Sequence, residues 1–274
     1  MIHPKEILER HGIYAKKSLG QNFLYEESIL RRIVETADVS KSDDVLEVGP
    51  GLGSLTLELA AAAHRVVAVE LDDRMIPILR MGLGRCQNVS VVHQDILEMN
   101  PADKFAHSQF YKVVANVPYY ITGAIIRHLL QTEVRPSMMV LTVQKDVGER
   151  MTAKPGSMSL MAVSTQFYGQ VKMMFNLSAG SFYPRPKVAS SVVRIDVDKR
   201  PEAAKSITDE KLFFRIAKAG FSQKRKQLLN NLKGLGFEKS VVGEWCQTAG
   251  IDGKRRAETL SVEEWVDLYH HMPA

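Results

Sequence analysis

Cysteine is nearly absent: Cys86 and Cys246 lie far apart, in no ligand-like spacing. Neither a disulfide framework nor a thiolate zinc site is supported, and a reducing cytoplasm is the expected compartment. The eight histidines (His3, His11, His64, His93, His107, His128, His270 and His271) show no metal spacing with acids or cysteines, so no metal is expected. No run approaches the roughly 20 apolar residues of a membrane span. The opening Met1-Ile-His-Pro-Lys-Glu is broken by charge and by Pro4 where a secretion signal needs an apolar stretch. Secretion and integral membrane roles are therefore not expected. Repeats and low-complexity tracts are also missing, which points to a chain folded nearly throughout.

What the chain has is ordinary globular material: 274 residues, 45% hydrophobic and 24% charged, enough for one large core and a smaller second one. Lys plus Arg number 36 against 31 Asp plus Glu, a net +5, so a polyanionic partner is compatible but not demanded.

From Asp44 to Val197, short β-branched runs alternate with helical patterns, the rhythm of βαβ units around a mainly parallel sheet. Seven runs read as strands, at 44–48, 65–69, 89–93, 111–115, 138–143, 171–175 and 191–197. Ile29, Leu30, Ile33 and Val34 predict a helix before the first of them, following a basic arm over residues 1–25. After Val197 the strand-like runs stop. Asp198-Lys-Arg-Pro201 reads as a linker, Thr208 as a helix cap, and Ser261-Val-Glu-Glu264 as a capping box opening a last helix around Trp265. The expected organisation is α/β, with a catalytic domain over 1–200 and a small all-α domain over 201–274.

Three strand ends carry chemistry. Glu47-Val-Gly-Pro-Gly-Leu-Gly53 follows the first strand and opens a helix, so Gly49, Gly51 and Gly53 allow a sharp turn and close approach of a ligand. The spacing is G-x-G-x-G rather than the G-x-G-x-x-G that cradles a pyrophosphate, which disfavours a nicotinamide-dependent dehydrogenase. It resembles motif I of S-adenosylmethionine-dependent methyltransferases, although such a turn also occurs as a purely structural device. Glu70, at the tip of the second strand, is placed to accept both ribose hydroxyls; a solvated strand-end carboxylate is the plain alternative. Asp95, after the third strand, could accept from an adenine amino group.

The fourth strand runs into Asn116-Val-Pro-Tyr119, which resembles motif IV of methyltransferases acting on adenine amines. That amine is a poor nucleophile because its lone pair is delocalised into the purine. Two acceptors on its hydrogens, the Asn116 side-chain oxygen and the Val117 carbonyl held by Pro118, favour a pyramidal nitrogen aimed at a methyl donor. Tyr119 would stack on the extruded base, and Phe182, in the loop before the last strand, could close the other face. A structural Asn-x-Pro turn and a core-packed loop aromatic are the plain alternatives.

The resemblance extends well beyond two motifs. Lys17-Ser-Leu-Gly-Gln-Asn-Phe-Leu24, Val143 to Arg150, Phe182 to Val188, Phe221-Ser-Gln-Lys-Arg-Lys226 and Arg256-Ala-Glu-Thr-Leu260 join the motifs above in the order found in ribosomal RNA adenine dimethyltransferases, over about residues 14 to 270. The chain looks like the small-subunit branch, with Val117, Leu19 and Asp146 as mild departures. The resemblance implies a Rossmann-like S-adenosylmethionine methyltransferase sheet, releasing S-adenosylhomocysteine. It implies that Asn22 and Leu24 close over the cofactor with Gly49, Gly51, Glu70, Asp95 and Asn116, and that Tyr119 and Phe182 sandwich the adenine. The substrate it implies is two adjacent adenosines in the 3′-terminal hairpin of 16S ribosomal RNA, each dimethylated at N6 during 30S subunit assembly. The runner-up readings are the large-subunit, macrolide-resistance methyltransferase and a non-catalytic assembly factor.

Residues 203–236 hold eight Lys or Arg against Asp209 and Glu210, a local +6, whereas 237–274 hold four basic and seven acidic residues. The RNA face is therefore expected around Lys224, Arg225 and Lys226, with Lys16 and Lys17 extending it at the active-site mouth. A solvated surface explains any one of these lysines equally well. Nothing in the sequence demands more than a monomer.

Overall fold

A computed structural model describes residues 2–108 and 110–273. Among the described residues there are nine strands: β1 (Phe23–Leu24), β2 (Asp44–Val48), β3 (Arg65–Glu70), β4 (Val89–His93), β5 (Tyr111–Asn116), β6 (Met138–Gln144), β7 (Gln170–Leu177), β8 (Phe182–Tyr183) and β9 (Ser190–Asp196). All seven runs read from the sequence are strands. Seven strands form one sheet in the order β4-β3-β2-β5-β6-β9-β7, and β1 pairs with β8 in a separate antiparallel ribbon.

The pairs β2–β3, β3–β4, β2–β5 and β5–β6 are parallel, and β9 runs antiparallel to β6. Along β2 and β3, burial is continuous past the first residue, because helices cover both sides. The outermost strands, β4 and β7, are only partly buried, and β7 alternates. Helix Glu27–Thr36 buries Leu30, Ile33 and Val34, and helix Ser54–Ala62 buries Leu55 and Leu59, against Val45, Val66, Val114 and Val140. Each fully buried aliphatic side chain contributes about 2 kcal/mol of hydrophobic stabilisation.

Chain direction across the sheet reverses between β2 and β5: β2, β3 and β4 progress one way, β5 and β6 the other. In an open parallel sheet, such a reversal opens a crevice at the carboxyl ends of the two central strands. The turn after β2 is Gly49 to Gly53, and β5 ends in Asn116, so the topology alone places the glycines and the amide side by side.

The chain divides into two compact units, residues 1–148 with 172–198, and residues 149–171 with 199–274. The division near 198 falls in the linker read from the sequence. Residues 149–171, assigned by that reading to the catalytic domain, pack with the C-terminal helices. Phe167 is the physical reason: fully buried, it stacks on Phe213 at 4.4 Å and lies under the Arg200 guanidinium. Tyr168 Oη donates to Glu210 Oε2 at 2.7 Å. Helix Glu210–Gly220 is capped by Asp209 rather than Thr208, Asp209 Oδ1 accepting from Leu212 N at 2.9 Å. Ser261 and Glu264 form the expected capping box of helix Val262–His270.

Candidate active site

A cleft enclosing about 1020 Å³, its open mouth included, lies at the reversal point. Its floor is the glycine turn, in which Gly49, Gly51 and Gly53 all adopt left-handed φ, at +68°, +56° and +84°. At Gly49 a Cβ would point into empty space, whereas at Gly51 it would stand 2.9 Å from the Phe23 ring. Gly49 thus leaves room for a ligand, and Gly51 leaves room for the arm.

Glu70 and Asp95 line one side of the cleft. Glu70 is 6% exposed, and its carboxylate accepts from Gly51 N (3.0 Å) and Asp72 N (2.8 Å). Burial raises its pKa, against the lowering effect of these two bonds. Each oxygen retains a second lone pair for a ligand hydroxyl. Asp95 Oδ1 accepts from Leu97 N at 2.9 Å, a turn that leaves Oδ2 as the further acceptor.

Glu47 also lines the cleft, at 1% exposed. Burial pushes its carboxyl up to about 8, Glu70 adding to the effect, and Oε2 has no hydrogen-bond partner among the described residues. Between the ordinary value of 4.5 and about 8, the unfolded chain ionises this group while the folded chain keeps it protonated. Stability therefore falls with rising pH through that window, by about 1.4 kcal/mol per unit, and the loss levels off above it. Glu47→Gln is expected to remove this loss, so its unfolding midpoint gains on the wild type between pH 5 and pH 8. A constant gap between the two proteins would mean that Glu47 is ionised when folded.

The opposite wall combines the N-terminal arm with the end of β5. Asn116 Nδ2 donates to the Asn22 carbonyl at 2.9 Å, and Asn22 Nδ2 donates to the Gly20 carbonyl at 3.0 Å. With its amide nitrogen committed to the arm, Asn116 presents Oδ1 as an acceptor. Val117, Pro118 and Tyr119 line the same wall. Tyr119 Oη shares a 2.5 Å hydrogen bond with the buried Ser190 Oγ, which fixes the ring from behind; burial raises the phenol pKa.

A sequence profile described as "Ribosomal RNA adenine dimethylase" matches residues 12–273. The chain belongs to the ribosomal RNA adenine dimethylase family. A protein of Dehalococcoides mccartyi named "Ribosomal RNA small subunit methyltransferase A" is 43% identical, the match covering 97% of this chain and 91% of that one. An Enterococcus faecalis protein of the same name is 42% identical, with 96% and 92% covered. Among solved structures, a dimethyladenosine transferase from Plasmodium falciparum superposes with a TM-score of 0.74 at 25% identity, covering 90% of this chain and 95% of that one. The 23S rRNA methyltransferase ErmE gives 0.69, also at 25% identity, covering 92% and 99%.

In this adenine dimethylase, ten of the twelve cofactor- and base-site residues singled out in the sequence line the cleft. Asn22, Leu24, Gly49, Gly51, Glu70, Asp95, Asn116, Val117, Pro118 and Tyr119 all line the cleft; Gly53 caps the helix that follows the turn. Phe182 does not line it. Its side chain is 1% exposed and packs in the main core with Leu24, its partner across the β1–β8 ribbon, and with Leu30 and Ile33. In this structure its ring is covered and packs behind Leu24. The exposed aromatic at the cleft is Tyr120, at 58%, whose ring lies against Gly20.

Three contributors were missed in the sequence: Ser190 and Asp72, single polar residues with no motif spacing of their own, and Gln21, which stands within the Lys17–Leu24 run but was given no role. Among the described residues of the dimethylase, no group of three or more His, Cys, Asp or Glu is arranged to hold a metal, and no helix is long and apolar enough to cross a membrane.

Lys224, Arg225 and Lys226 occupy an exposed turn between helices rather than a helix face. The turn is pinned by the buried Asn231, whose Nδ2 donates to the carbonyls of Gly220 (2.5 Å) and Gln223 (3.1 Å). All eight basic residues of 203–236 are exposed. Lys17 is exposed as well, while Lys16 Nζ is drawn to within 3.7 Å of Asp72.

Proposed function

We propose that the chain transfers methyl groups from S-adenosylmethionine to N6 of two adjacent adenosines in the 3′-terminal hairpin of small-subunit ribosomal RNA, two methyls to each, during subunit assembly. The observation that carries this reading is the tethered Asn116, whose nitrogen is bound to the arm and whose oxygen is left for an incoming amine. The cleft suits the cofactor: Gly49 opens onto unfilled space, Glu47 Oε2 is a buried polar atom without a partner, and Glu70 and Asp95 keep acceptor capacity.

Glu70 would take the ribose hydroxyls, Asp95 the cofactor adenine amine, and Asn22 and Leu24 would cover them. When bound, the cofactor supplies an electrophilic methyl group on a sulfonium. Asn116 Oδ1 and the Val117 carbonyl accept the two hydrogens of the target N6 and turn its lone pair towards that methyl. Tyr119, held by Ser190, supports the base by stacking. The methylated nitrogen is an acidic ammonium that gives its proton to water, so no basic side chain is required and the residues act by orientation.

The 43% identity to small-subunit enzymes, against 25% to the 23S enzyme, supports the small-subunit substrate. A pure RNA-gripping factor has no use for the cofactor cleft. Calorimetric titration with S-adenosylmethionine should show one binding site per chain; no heat at millimolar cofactor would contradict the reading. The basic turn is proposed to hold RNA phosphates. Changing Lys224, Arg225 and Lys226 together to Ala should reduce the slope of log affinity against log salt by about 2 to 3, one per lost phosphate contact. An unchanged slope would place the RNA face elsewhere.

A further inference from the structure

The arm that covers the cleft is itself held by one buried carboxylate. Asp72 has a fully buried side chain. Its Oδ2 accepts from Gln21 Nε2 at 2.7 Å, and Gln21 Oε1 in turn accepts from Lys16 N at 2.7 Å. Gln21 therefore stitches the start of the arm to its middle and fastens both to Asp72. Arg74 closes the arrangement, with Nη2 at 2.5 Å and Nε at 2.9 Å from the Asp72 carboxylate and Nη1 donating to the Tyr14 carbonyl at 3.1 Å. Arg74 and the Lys16 ammonium supply the countercharge that a buried carboxylate needs. One residue beyond Gln21 stands Asn22, whose carbonyl holds the Asn116 amide.

We propose that Asp72 and Gln21 are positioning residues for methyl transfer: they hold the arm where the Asn22 carbonyl orients the Asn116 amide, so one clasp both covers the cofactor and aims the group that receives the target amine. This rests on the dimethyltransferase reading above. Neither residue touches the reacting atoms; both act through Asn22. Gln21 itself needs only an acceptor oxygen at position 72, because it donates a neutral amide hydrogen to it, whereas Arg74 and Lys16 pair with the charge.

Single-turnover methyl transfer to unmethylated small subunits at saturating S-adenosylmethionine separates this from a general structural role. Gln21→Ala and Asp72→Ala are each expected to slow transfer about tenfold, short of the roughly 10²-fold that a full 1 Å misplacement of a reacting group can cost. Asp72→Asn keeps an acceptor for Gln21 and should stay within about threefold of wild type. Trypsin cleavage after Lys16 or Lys17 should speed up in the two alanine variants and not in Asp72→Asn, which reads the arm without reference to activity. Unchanged transfer in Gln21→Ala, or an Asp72→Asn as slow as Asp72→Ala, would overturn the proposal. Cofactor binding without any transfer by the wild type would instead overturn the dimethyltransferase reading, while the trypsin comparison still reports whether the clasp holds the arm.

Discussion

Asn116→Ala is expected to slow methyl transfer by a factor on the order of 10² to 10³, while cofactor affinity falls only severalfold. The side chain does two things: Nδ2 bonds to the arm and Oδ1 faces the cleft. Loss of the first loosens the arm by one hydrogen bond, worth about 1 kcal/mol. Loss of the second removes an acceptor that matters only as the target nitrogen pyramidalises, so its effect falls on the rate and not on binding. Asn116→Asp should sit between wild type and alanine. It keeps an acceptor but sets a carboxylate against the Asn22 carbonyl. Rapid-quench assays at saturating cofactor and subunit measure the first quantity, and calorimetry measures the second. Equal losses in both would mean that Asn116 is simply part of the cofactor pocket.

Gly51→Ala is expected to weaken S-adenosylmethionine binding by about 10- to 100-fold and to cost about 1 to 3 kcal/mol of stability. Two independent effects combine. At φ +56° an L residue is strained, and its Cβ would stand 2.9 Å from Cδ1 and Cε1 of Phe23. Phe23 is 7% exposed and packs with Leu8, Met75 and Leu79, so it has little freedom to retreat. The displaced residue belongs to β1, and with it moves the arm that carries Asn22 and Leu24. Gly49→Ala provides the comparison: its Cβ meets no protein atom, so its stability loss should reflect backbone strain alone. Titration of cofactor into each variant, with urea unfolding alongside, measures both effects.

The sheet was legible because each of its strands is a β-branched run bounded by turns or helices. Even the position of the crevice followed from which runs carry glycine, Glu70, Asp95 and Asn116 at their ends. The β1–β8 ribbon was not legible. Phe23–Leu24 and Phe182–Tyr183 are two residues each, too short for any alternation, and they pair across more than half the chain. That pairing also explains the position of Phe182, which was placed from its loop and is held in the core by a partner no local pattern indicates. Thr208 and Asp209 are adjacent cap-forming residues, and only backbone geometry selects the second. The Pro155-Gly156 turn within residues 149–171 reads as an ordinary loop between elements, and the segment's allegiance to the helical unit is decided by Phe167 and Tyr168 meeting aromatics more than 40 residues away. Asp72 appeared as one more charge after Glu70. Its burial and its bond to Gln21 exist only once the arm is folded across the turn.

Transfer of labelled methyl groups from S-adenosylmethionine to unmethylated small ribosomal subunits, with large subunits in parallel and digestion to nucleosides, tests most directly whether this cleft methylates adenine N6 in small-subunit RNA. The expected product is N6,N6-dimethyladenosine from the small subunit alone, two dimethylated residues per particle. Label in the large subunit, or label on any atom other than adenine N6, would contradict that assignment.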